Sequence, residues 1–478
     1  MPTINNMKST LKIILPILIL ITATLACSLP INTTPSAEDV ENQAGTAVAA
    51  TLTAMALTPA PHGEITTTAT IMPSETPTIE PTPSATSLAG LNPFHLAYID
   101  RNGNMWTWQQ GSSPDQIIAS GDVERLSLSK DGQRIAFSRA SSDYMEHSLW
   151  AINFDGSNEH LLISHEDFMS MPLSSNIQAD WVVARYPFMF SFVPGSNTNL
   201  AFITVPQFEG PGFIDNKDLW LVDVETGTRA NVLPAGSGGH FYYSPDGNQI
   251  AIVTGSDISL VNADGTSRRS SVLSYEPVLT YSEYEYHAFP QWSPDSSYLR
   301  VAIPYRDSLG DPSMPGHLYQ LPTDGSPATF IGNVNFAPIT AGVFSPDLTK
   351  LAFIQQIGDS ADNKYAMMIS NHDGTEPIEI ARDGLGFSGW SPDSNHFAYI
   401  IWNPRIHLIS QVSTSGSLSI DGTNSDNLNW ISEDHFIFTS MNEPNWEIRM
   451  GSLGSPSTLI VTLAPGDGSP SYDFSGRP

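Results

Sequence analysis

The chain has 478 residues, of which 40% are hydrophobic and 14% are charged, and its formal net charge is −29. This length and apolar content suffice for a large core, whereas the acidic charge argues against binding to nucleic acid phosphates or anionic lipid head groups. Gly (35) and Pro (37) are abundant, but not at the level of a collagen-like or wholly disordered chain.

The amino terminus has the layout of a secretory signal. Lys8 and Lys12 precede an apolar run over residues 13–21, which Pro16 interrupts and which is shorter than the ~18 residues that span a bilayer. Small and polar residues follow as far as Cys27, the only cysteine, so no intramolecular disulfide can form. The pattern predicts a signal peptide over residues 1–26 rather than a permanent transmembrane helix.

The sequence Thr-Leu-Ala-Cys that ends at Cys27 resembles a bacterial lipoprotein box, although Thr24 stands where that box usually has leucine. In such a box the cysteine becomes the lipidated first residue of the mature chain. The resemblance implies an extracytoplasmic protein of a bacterial cell membrane or cell surface, which contacts the membrane only through its lipid anchor. A buried structural cysteine is the alternative interpretation.

Residues 27–91 have the composition of a linker. Between residues 58 and 87, 18 of 30 residues are Ser, Thr or Pro, and the only charged side chains are three glutamates. Such a segment buries too little apolar surface to offset the entropy of ordering it. One stretch, residues 37–57, has apolar residues at helical spacing and predicts a short helix, with a coiled-coil element as the alternative.

A short sequence pattern recurs from residue 92 onward: an aromatic or apolar residue, Ser-Pro-Asp, a turn and an apolar strand. Proline presets the backbone for a turn and aspartate bonds back to it, so each copy predicts an antiparallel hairpin. Seven copies end at Phe137, Phe202, Ile252, Ile303, Phe353, Tyr399 and Phe438. This part of the chain opens with the second half of the pattern, FHLAYI, and closes with a first half, SYDFSG.

After each hairpin a third strand follows, and a tight turn that ends in glycine connects it to a fourth. Eight such turns are present: Gln110-Gly111, Asp155-Gly156, Thr226-Gly227, Asp264-Gly265, Asp324-Gly325, Asp373-Gly374, Ser415-Gly416 and Leu453-Gly454. Four-stranded antiparallel meanders bury both faces when they are arranged radially. The sequence therefore predicts an all-β propeller over residues 92–478 with eight blades, six or seven being left open, in which a terminal strand near Tyr472 completes the first blade.

The repeated pattern resembles the TolB-like propeller repeat, which also occurs in the propellers of the prolyl oligopeptidase and dipeptidyl peptidase groups. The resemblance covers Asn92 to Gly476 and implies a fold rather than a function. Peptidases of these groups carry their catalytic serine in a separate α/β-hydrolase domain, and this sequence contains no Gly-x-Ser-x-Gly motif. A peptidase is therefore not predicted.

Loop length indicates which face of the predicted ring would bind a ligand. Loops between the second and third strands of a blade lie on the same face as the connections between blades, and long loops carry function more often than tight turns. The longest predicted loops are residues 164–189, 204–217, 273–289 and 304–316, all in neighbouring blades.

Residues 273–289 contain the densest group of tyrosines and ionisable side chains. Tyrosine is typical of recognition surfaces, and carboxylates add hydrogen bonds or cation binding. The predicted ligand-binding residues are Tyr281, Glu283, Tyr284, Glu285, Tyr286 and His287 of this loop, together with His240. The alternative is a surface ribbon whose tyrosines pack on their own blade.

His240 and His287 each precede the innermost strand of adjacent blades, near the expected entrance of the central channel. With Glu283 or Glu285 they could form a metal site, but such histidines are more often hydrogen-bonding loop residues, so no metal or cofactor is predicted. The repeated aspartates Asp246, Asp295, Asp347 and Asp393 are predicted to be structural, because every turn needs one.

The sequence thus favours a lipid-anchored extracytoplasmic propeller that acts as a non-catalytic binding module. The predicted partner is an envelope protein, a peptide or a glycan, with no nucleic acid, and the ring is expected to be monomeric. The alternative is an extracellular carbohydrate-active enzyme, a lyase or a hydrolase. Its site would lie at the channel entrance, with His240, His287, Glu283 and Glu285 as candidate groups.

Overall fold

The computed structural model describes residues 94–209, 214–281, 284–357, 364–382, 385–402, 405–412, 417–420, 425–463 and 470–476. The predicted signal peptide, Cys27, the linker with its helix over residues 37–57, Glu283 and the Ser415-Gly416 turn lie outside these residues.

The described residues form eight antiparallel sheets of four strands each, which confirms the prediction of an eight-bladed propeller. Blade 1 contains β1 (His95–Ile99), β2 (Met105–Gln109) and β3 (Asp115–Ile118); blade 2 contains β4 (Val123–Leu128), β5 (Arg134–Ala140), β6 (His147–Asn153) and β7 (His160–Ile163). Blade 3 contains β8 (Val182–Phe192), β9 (Asn199–Phe208), β10 (Leu219–Asp223) and β11 (Arg229–Leu233); blade 4 contains β12 (His240–Tyr243), β13 (Gln249–Thr254), β14 (Asp257–Asn262) and β15 (Arg269–Ser274).

The second half of the ring repeats this arrangement. Blade 5 contains β16 (Gln291–Trp292), β17 (Tyr298–Ile303), β18 (Gly316–Pro322) and β19 (Thr329–Val334); blade 6 contains β20 (Val343–Phe344), β21 (Lys350–Ile357), β22 (Lys364–Asn371) and β23 (Ile378–Arg382). Blade 7 contains β24 (Leu385–Trp390), β25 (His396–Trp402), β26 (Arg405–Gln411) and β27 (Ser417–Ser419); blade 8 contains β28 (Ser425–Trp430), β29 (His435–Asn442), β30 (Asn445–Ser452) and β31 (Ser455–Leu463). The last strand, β32 (Ser471–Phe474), belongs to blade 1.

Within the described part of the chain, helical structure is confined to the connection between blades 2 and 3. The short helix α1 (His165–Ser170) begins at Ser164, whose hydroxyl accepts a hydrogen bond from the Asp167 backbone while the Asp167 side chain accepts one from Ser164. A single 3-10 turn, Ala179–Trp181, follows. Among the described residues no helix is both long and apolar enough to cross a bilayer.

The core lies between neighbouring blades, so the second strand of a blade is covered on both faces. Ile250 to Val253 of β13, for example, are all buried, which explains why such strands read as continuous apolar runs. Ala201 and Ile203 of blade 3 pack against Phe241 and Ile250 of blade 4 in one of these interfaces.

Tryptophans of the innermost strands add a repeated polar contact between blades. The Trp292 indole N–H donates to the Tyr242 carbonyl of the preceding blade (3.0 Å). Trp390 and Trp430 make the same contact with the backbone carbonyls of Val343 (2.9 Å) and Gly389 (3.1 Å). Each contact satisfies a buried donor and fixes the spacing of adjacent inner strands.

The Ser-Pro-Asp turns hold the first two strands of a blade together by side-chain hydrogen bonds. In the turn of blade 5, the Ser293 hydroxyl donates to Asp295 Oδ1 (2.7 Å), which also accepts from the Ser297 backbone N–H (3.1 Å). The equivalent bonds recur at Asp246, Asp347 and Asp393, so these aspartates are structural, as predicted.

This turn chemistry predicts that the fold is sensitive to acid. Hydrogen bonds from Ser293 and Ser297 lower the pKa of Asp295 to about 2, and the pKa of Asp246 is lowered by its contact with Ser244. A lowered pKa in the folded state means that the charged group stabilises the fold above its unfolded pKa of about 3.9, and that this contribution disappears as the pH falls toward 2. We expect the free energy of unfolding, measured in urea, to decrease over this window.

An Asp295→Asn variant provides the control for this prediction. It should be less stable than the parent protein at pH 7, and the difference should shrink between pH 4 and pH 2, where the parent loses the same charge. A difference in stability that stays constant over that range would contradict the assignment.

The ring is closed by β32, which pairs with β1 from Leu96↔Phe474 to Ile99↔Ser471. The innermost strand of blade 1 thus comes from the carboxyl terminus, as the half-patterns at the two ends predicted. Asp473 Oδ2 accepts a hydrogen bond from the Leu128 backbone N–H of blade 2 (2.8 Å), and the Tyr472 hydroxyl donates to the Asn427 carbonyl of blade 8. The closing strand therefore joins both neighbouring blades.

Blade 3 departs from the predicted loop lengths. Its first two strands, β8 and β9, have 11 and 10 residues and extend beyond those of the other blades as a long hairpin. The predicted loops 164–189 and 204–217 were therefore wrong in extent, and the structure has connections over 164–181 and 209–218.

Candidate functional site

The loop face is the face of the ring that carries the connections between blades and the loops between second and third strands. Of the 15 large hydrophobic side chains that are exposed among the described residues, 11 lie on or beside this face. They are Tyr144, Met145, Trp181, Val183, Ile214, Tyr281, Tyr284, Phe289, Leu309, Met314 and Trp402. The other four, Leu161, Phe330, Ile378 and Leu459, lie on outermost strands. Exposed apolar side chains are thus concentrated on one face, chiefly in blades 2 to 5.

The predicted tyrosine loop contributes two side chains to this surface. Tyr281 and Tyr284 are 67% and 62% exposed. Tyr286 and Tyr275 instead pack against the core between blades 4 and 5, and burial raises their pKa values. The structure therefore divides the tyrosines into an exposed pair and a partly buried pair.

The exposed part of the loop is fastened to the neighbouring loop of blade 5. The Leu279 backbone N–H donates to the Arg306 carbonyl (2.8 Å), and the Tyr281 hydroxyl donates to Asp307 Oδ1 (2.5 Å). Tyr281 has φ of 53°, in the left-handed region. These contacts order a surface tyrosine before any ligand arrives, which reduces the entropic cost of binding.

His240 and His287 meet at the inner edge of the loop face. His240 begins β12 and His287 lies in the connection that leads to β16, and their rings stack with centroids 3.8 Å apart and 9° between the planes. Their Nε2 atoms lie 3.6 Å and 3.2 Å from Asp215 Oδ2. Asp215, His240 and His287 are termed the His-Asp cluster below.

Glu285 lies at the edge of the cluster. Its Oε2 is 3.4 Å from His287 Nε2 and 3.7 Å from Lys217 Nζ. A Cβ atom added at Gly255 would come within 2.4 Å of the Glu285 carboxyl group, so the glycine leaves room for this side chain. Of the predicted ligand-binding residues, the structure thus brings His240, Glu285 and His287 together, whereas Tyr281 and Tyr284 lie on the open surface.

Asp215 was not among the predicted site residues. It belongs to the loop between β9 and β10, where the polar run Asp215-Asn216-Lys217-Asp218 directly precedes the apolar strand. Four polar residues in a row next to a buried strand are the signal that could have indicated it. Nothing in the local pattern shows that the run faces two histidines of the following blades.

Asp218 holds this loop in place as the centre of a buried hydrogen-bond network. Its carboxylate accepts from the backbone N–H and hydroxyl of Thr204 (2.8 and 2.6 Å), from Asn216 Nδ2 (2.8 Å) and from the Trp220 indole (3.0 Å). Asn216 Oδ1 in turn accepts from the Ser174 backbone N–H (2.9 Å). The loop is therefore tied both to its own blade and to the connection that precedes it.

Close backbone packing holds the start of β12 against the loop that bears Asp215. The Gly238 N–H donates to the Lys217 carbonyl (2.5 Å). A Cβ atom at Gly238 would lie 2.4 Å from the Asp218 carbonyl oxygen, so only glycine allows this approach. His240 follows two residues later and is thereby held beside Asp215.

The electrostatic environment shifts the pKa values of the two histidines in opposite directions. Burial lowers the pKa of His240, and the neighbouring His287 lowers it further. For His287, burial acts in the same direction, but the contacts with Asp215 and Glu285 outweigh it and raise the pKa to about 9. These opposite shifts favour the protonated form of His287 and the neutral form of His240. The contact with His287 also lowers the pKa of Glu285.

A cavity of about 600 Å³ lies elsewhere, against blades 7 and 8. Its one lining histidine, His407, is buried and has its Nδ1 2.8 Å from the Ser425 hydroxyl. A smaller cleft of about 270 Å³ on the loop face lies between blades 2 and 3 and is lined by His147 and Tyr144. Among the described residues, the His-Asp cluster alone gathers three metal-ligating side chains within 4.8 Å of one another. We therefore place the candidate chemistry there rather than in the larger cavity.

No protein family profile matches the sequence, and no curated protein matches it. Similar solved structures include Porphyromonas gingivalis dipeptidyl peptidase 4, at 14% identity and a TM-score of 0.47 over 74% of this chain and 55% of that one. TolB from Acinetobacter baumannii is 12% identical, with a TM-score of 0.34 over 80% of this chain and 66% of that one.

The propeller domain of the Trilobed protease from Pyrococcus furiosus is also similar, with 12% identity and a TM-score of 0.42 over 72% of this chain and 99% of that one. TolB and the peptidase propellers are thus among the structural neighbours, as the repeated pattern predicted. The likeness concerns the fold alone.

Proposed function

We propose that the chain is a lipid-anchored extracytoplasmic propeller that binds a partner protein through its loop face without catalysing a reaction. The observation that carries this proposal is the concentration of exposed apolar and aromatic side chains on that face, in loops of several neighbouring blades. A spread of this kind suits a protein interface, whereas a small molecule is usually enclosed in one cleft.

The position of the chain ends supports this proposal. The first described strand, β1, is the second strand of its blade, so the chain enters the ring on the face of the tight turns. β32 ends at the same face, where the Ser475 N–H donates to the His95 carbonyl (2.9 Å). The loop face therefore carries neither end of the described chain. The anchor itself is proposed from the lipoprotein-like sequence that ends at Cys27.

Site-specific photocrosslinking in living cells tests the binding face. We expect a crosslinking amino acid at Tyr281, Tyr284 or Trp181 to yield the same protein adduct, identified by mass spectrometry. Matched controls at Ile378 and Leu459, which are exposed on outermost strands, should yield none. A Cys27→Ala variant should leave the membrane fraction and lose the adduct if the partner is in the envelope.

Three outcomes would contradict the proposal. Equal adducts from the loop-face positions and the outer-strand controls would show that the contact is nonspecific. Recovery of a crosslinked glycan instead of a protein at the loop-face positions would show that the partner is a glycan. Retention of the Cys27→Ala variant on the membrane would contradict the proposal that Cys27 carries a lipid anchor.

A second candidate is the carbohydrate-active enzyme, a lyase or a hydrolase, and the observation that favours it is the largely buried His-Asp cluster at the inner edge of the loop face. A protonated His287 beside a neutral His240 could serve as acid and base in a sugar-cleaving reaction. Incubation of the purified protein with neutral and acidic polysaccharides, followed by an assay for reducing ends and unsaturated products, separates the two candidates.

A further inference from the structure

We propose that Asp215, His240 and His287 form a binding site for a first-row divalent transition-metal ion. The site goes beyond the proposed protein-binding function, since it lies at the inner edge of the loop face rather than on its exposed surface. Polar atoms without hydrogen bonds, the spacing of the donor atoms and the types of ligand support the site.

The cluster contains buried polar atoms that have no hydrogen-bond partner among the described residues. These atoms are Asp215 Oδ1 and Oδ2, His240 Nε2 and His287 Nε2. The Asp215 side chain is 3% exposed and that of His287 is 9% exposed. Buried polar groups are almost always hydrogen-bonded. Asp215 Oδ2 lies at ion-pair distances of 3.6 and 3.2 Å from the two imidazoles but forms no hydrogen bond with them, so these atoms are available to hold an ion.

Asp218, three residues from Asp215, provides an internal comparison. Both aspartates are buried in the same loop. The Asp218 carboxylate accepts four hydrogen bonds, whereas Asp215 accepts none within the part of the chain that the structure describes. The network that satisfies Asp218 therefore leaves the Asp215 carboxylate directed at the two imidazoles.

The spacing of the donor atoms fits a metal ion. Bonds of about 2.1 Å that meet at a tetrahedral angle place two donor atoms about 3.4 Å apart. Asp215 Oδ2 lies 3.2 Å from His287 Nε2 and 3.6 Å from His240 Nε2. All three ligand atoms lie within 4.8 Å of one another, and rotation of one of the two stacked rings would turn both Nε2 atoms toward one ion.

The ligand types select the class of ion. Imidazole nitrogen suits Zn²⁺, Fe²⁺, Ni²⁺ and Cu²⁺, and together with a carboxylate it suits Mn²⁺, whereas Ca²⁺ and Mg²⁺ prefer oxygen ligands alone. Three protein ligands leave coordination positions for water or for a ligand, as in catalytic rather than structural zinc sites. The Glu285 carboxylate lies at the edge of the cluster, 3.4 Å from His287 Nε2.

The test uses the full-length protein, extracted from membranes in detergent and freed of metal with a chelator. Titration calorimetry with Zn²⁺ and with Mn²⁺ should show one bound ion per chain for at least one of them. Asp215→Asn, His240→Gln and His287→Gln should each weaken binding at least ~10- to 100-fold, a loss that even outer partners of metal ligands produce.

His147→Gln is the matched control. His147 is also buried, and its Nδ1 lies 3.4 Å from the Glu124 carboxylate, but no third ligand joins this pair among the residues that the structure describes. This variant should bind the ion as the parent protein does. Near-ultraviolet circular dichroism checks that each variant is folded.

Binding of Co²⁺ gives a readout that does not depend on stability. Its visible absorption bands should appear in the parent protein and in His147→Gln, and be absent from folded Asp215→Asn. Substoichiometric binding of Zn²⁺ and Mn²⁺, or equal affinities in Asp215→Asn and the parent protein, would overturn the proposal. Photocrosslinking at Tyr281 is measured separately, so failure of the metal site and failure of the protein-binding proposal are distinguishable.

Discussion

Removal of residues 471–478 is expected to open the ring and to abolish its cooperative folding. The deletion removes β32, which buries Tyr472 and Phe474 and pairs with β1. Loss of one buried phenylalanine side chain costs about 3 to 5 kcal/mol, and domains are commonly stable by about 5 to 15 kcal/mol in total. Loss of the strand removes two aromatic side chains and the backbone hydrogen bonds with β1, and therefore a large part of the stability of the ring.

Thermal unfolding and limited proteolysis measure this effect. The truncated protein should show no cooperative transition, or one at a far lower temperature, and protease should cut first in blade 1. Phe474→Ala should lie between the truncated and full-length proteins, and removal of residues 477–478 alone is the length control. A peptide of residues 470–478 added in trans should restore part of the stability. Unfolding of the truncated protein at the same temperature as the full chain would contradict the closing role of β32.

Asp218→Ala is expected to destabilise blade 3 by about 3 kcal/mol or more, because each buried donor left without its acceptor costs about 1 to 3 kcal/mol. The substitution leaves buried donors of Thr204, Asn216 and Trp220 without their acceptor. It also removes the negative charge that favours the protonated form of the buried Arg185, whose pKa burial lowers. Unpaired buried donors and an uncompensated buried cation both cost free energy.

Urea denaturation of Asp218→Ala and of a matched variant, Asp223→Ala, measures this difference. Asp223 ends β10, the strand that follows Asp218, but lies at an exposed turn, where it accepts hydrogen bonds from the backbone N–H groups of Glu225 and Thr226. Its loss should cost about 1 kcal/mol or less. Because Asp218 orders the loop that bears Asp215, the variant should also bind metal more weakly. Equal destabilisation by the two substitutions would show that the buried network has no special role.

The fold was predictable because its signals are local and repeated. Ser293 and Asp295 form the predicted turn, and the half-patterns around Leu96 and Tyr472 pair with each other as expected. Each blade uses the same chemistry within a short stretch of chain, so many weak signals agree. The extent of the β8–β9 hairpin was missed, since a loop and an extended strand differ little in local sequence when long-range packing decides between them.

The candidate site was only partly predictable for a related reason. His240 and His287 were proposed as neighbours because equivalent positions of adjacent blades lie side by side. Asp215 comes from a third blade and from a different type of loop, so its approach depends on the network around Asp218 and on the contact at Gly238. The burial of Tyr286 was likewise decided by packing between blades rather than by its own loop.

The way in which β32 closes the ring also determines how the protein would bear a mechanical load. β1 is held on both sides, by five residue pairs with β2 and four with β32, and the chain enters it at the tight-turn face. A partner that pulls on the loop face while the upstream chain is held therefore loads both ladders along the strand. All of their hydrogen bonds are then loaded at once, in a shear geometry, and do not break one after another.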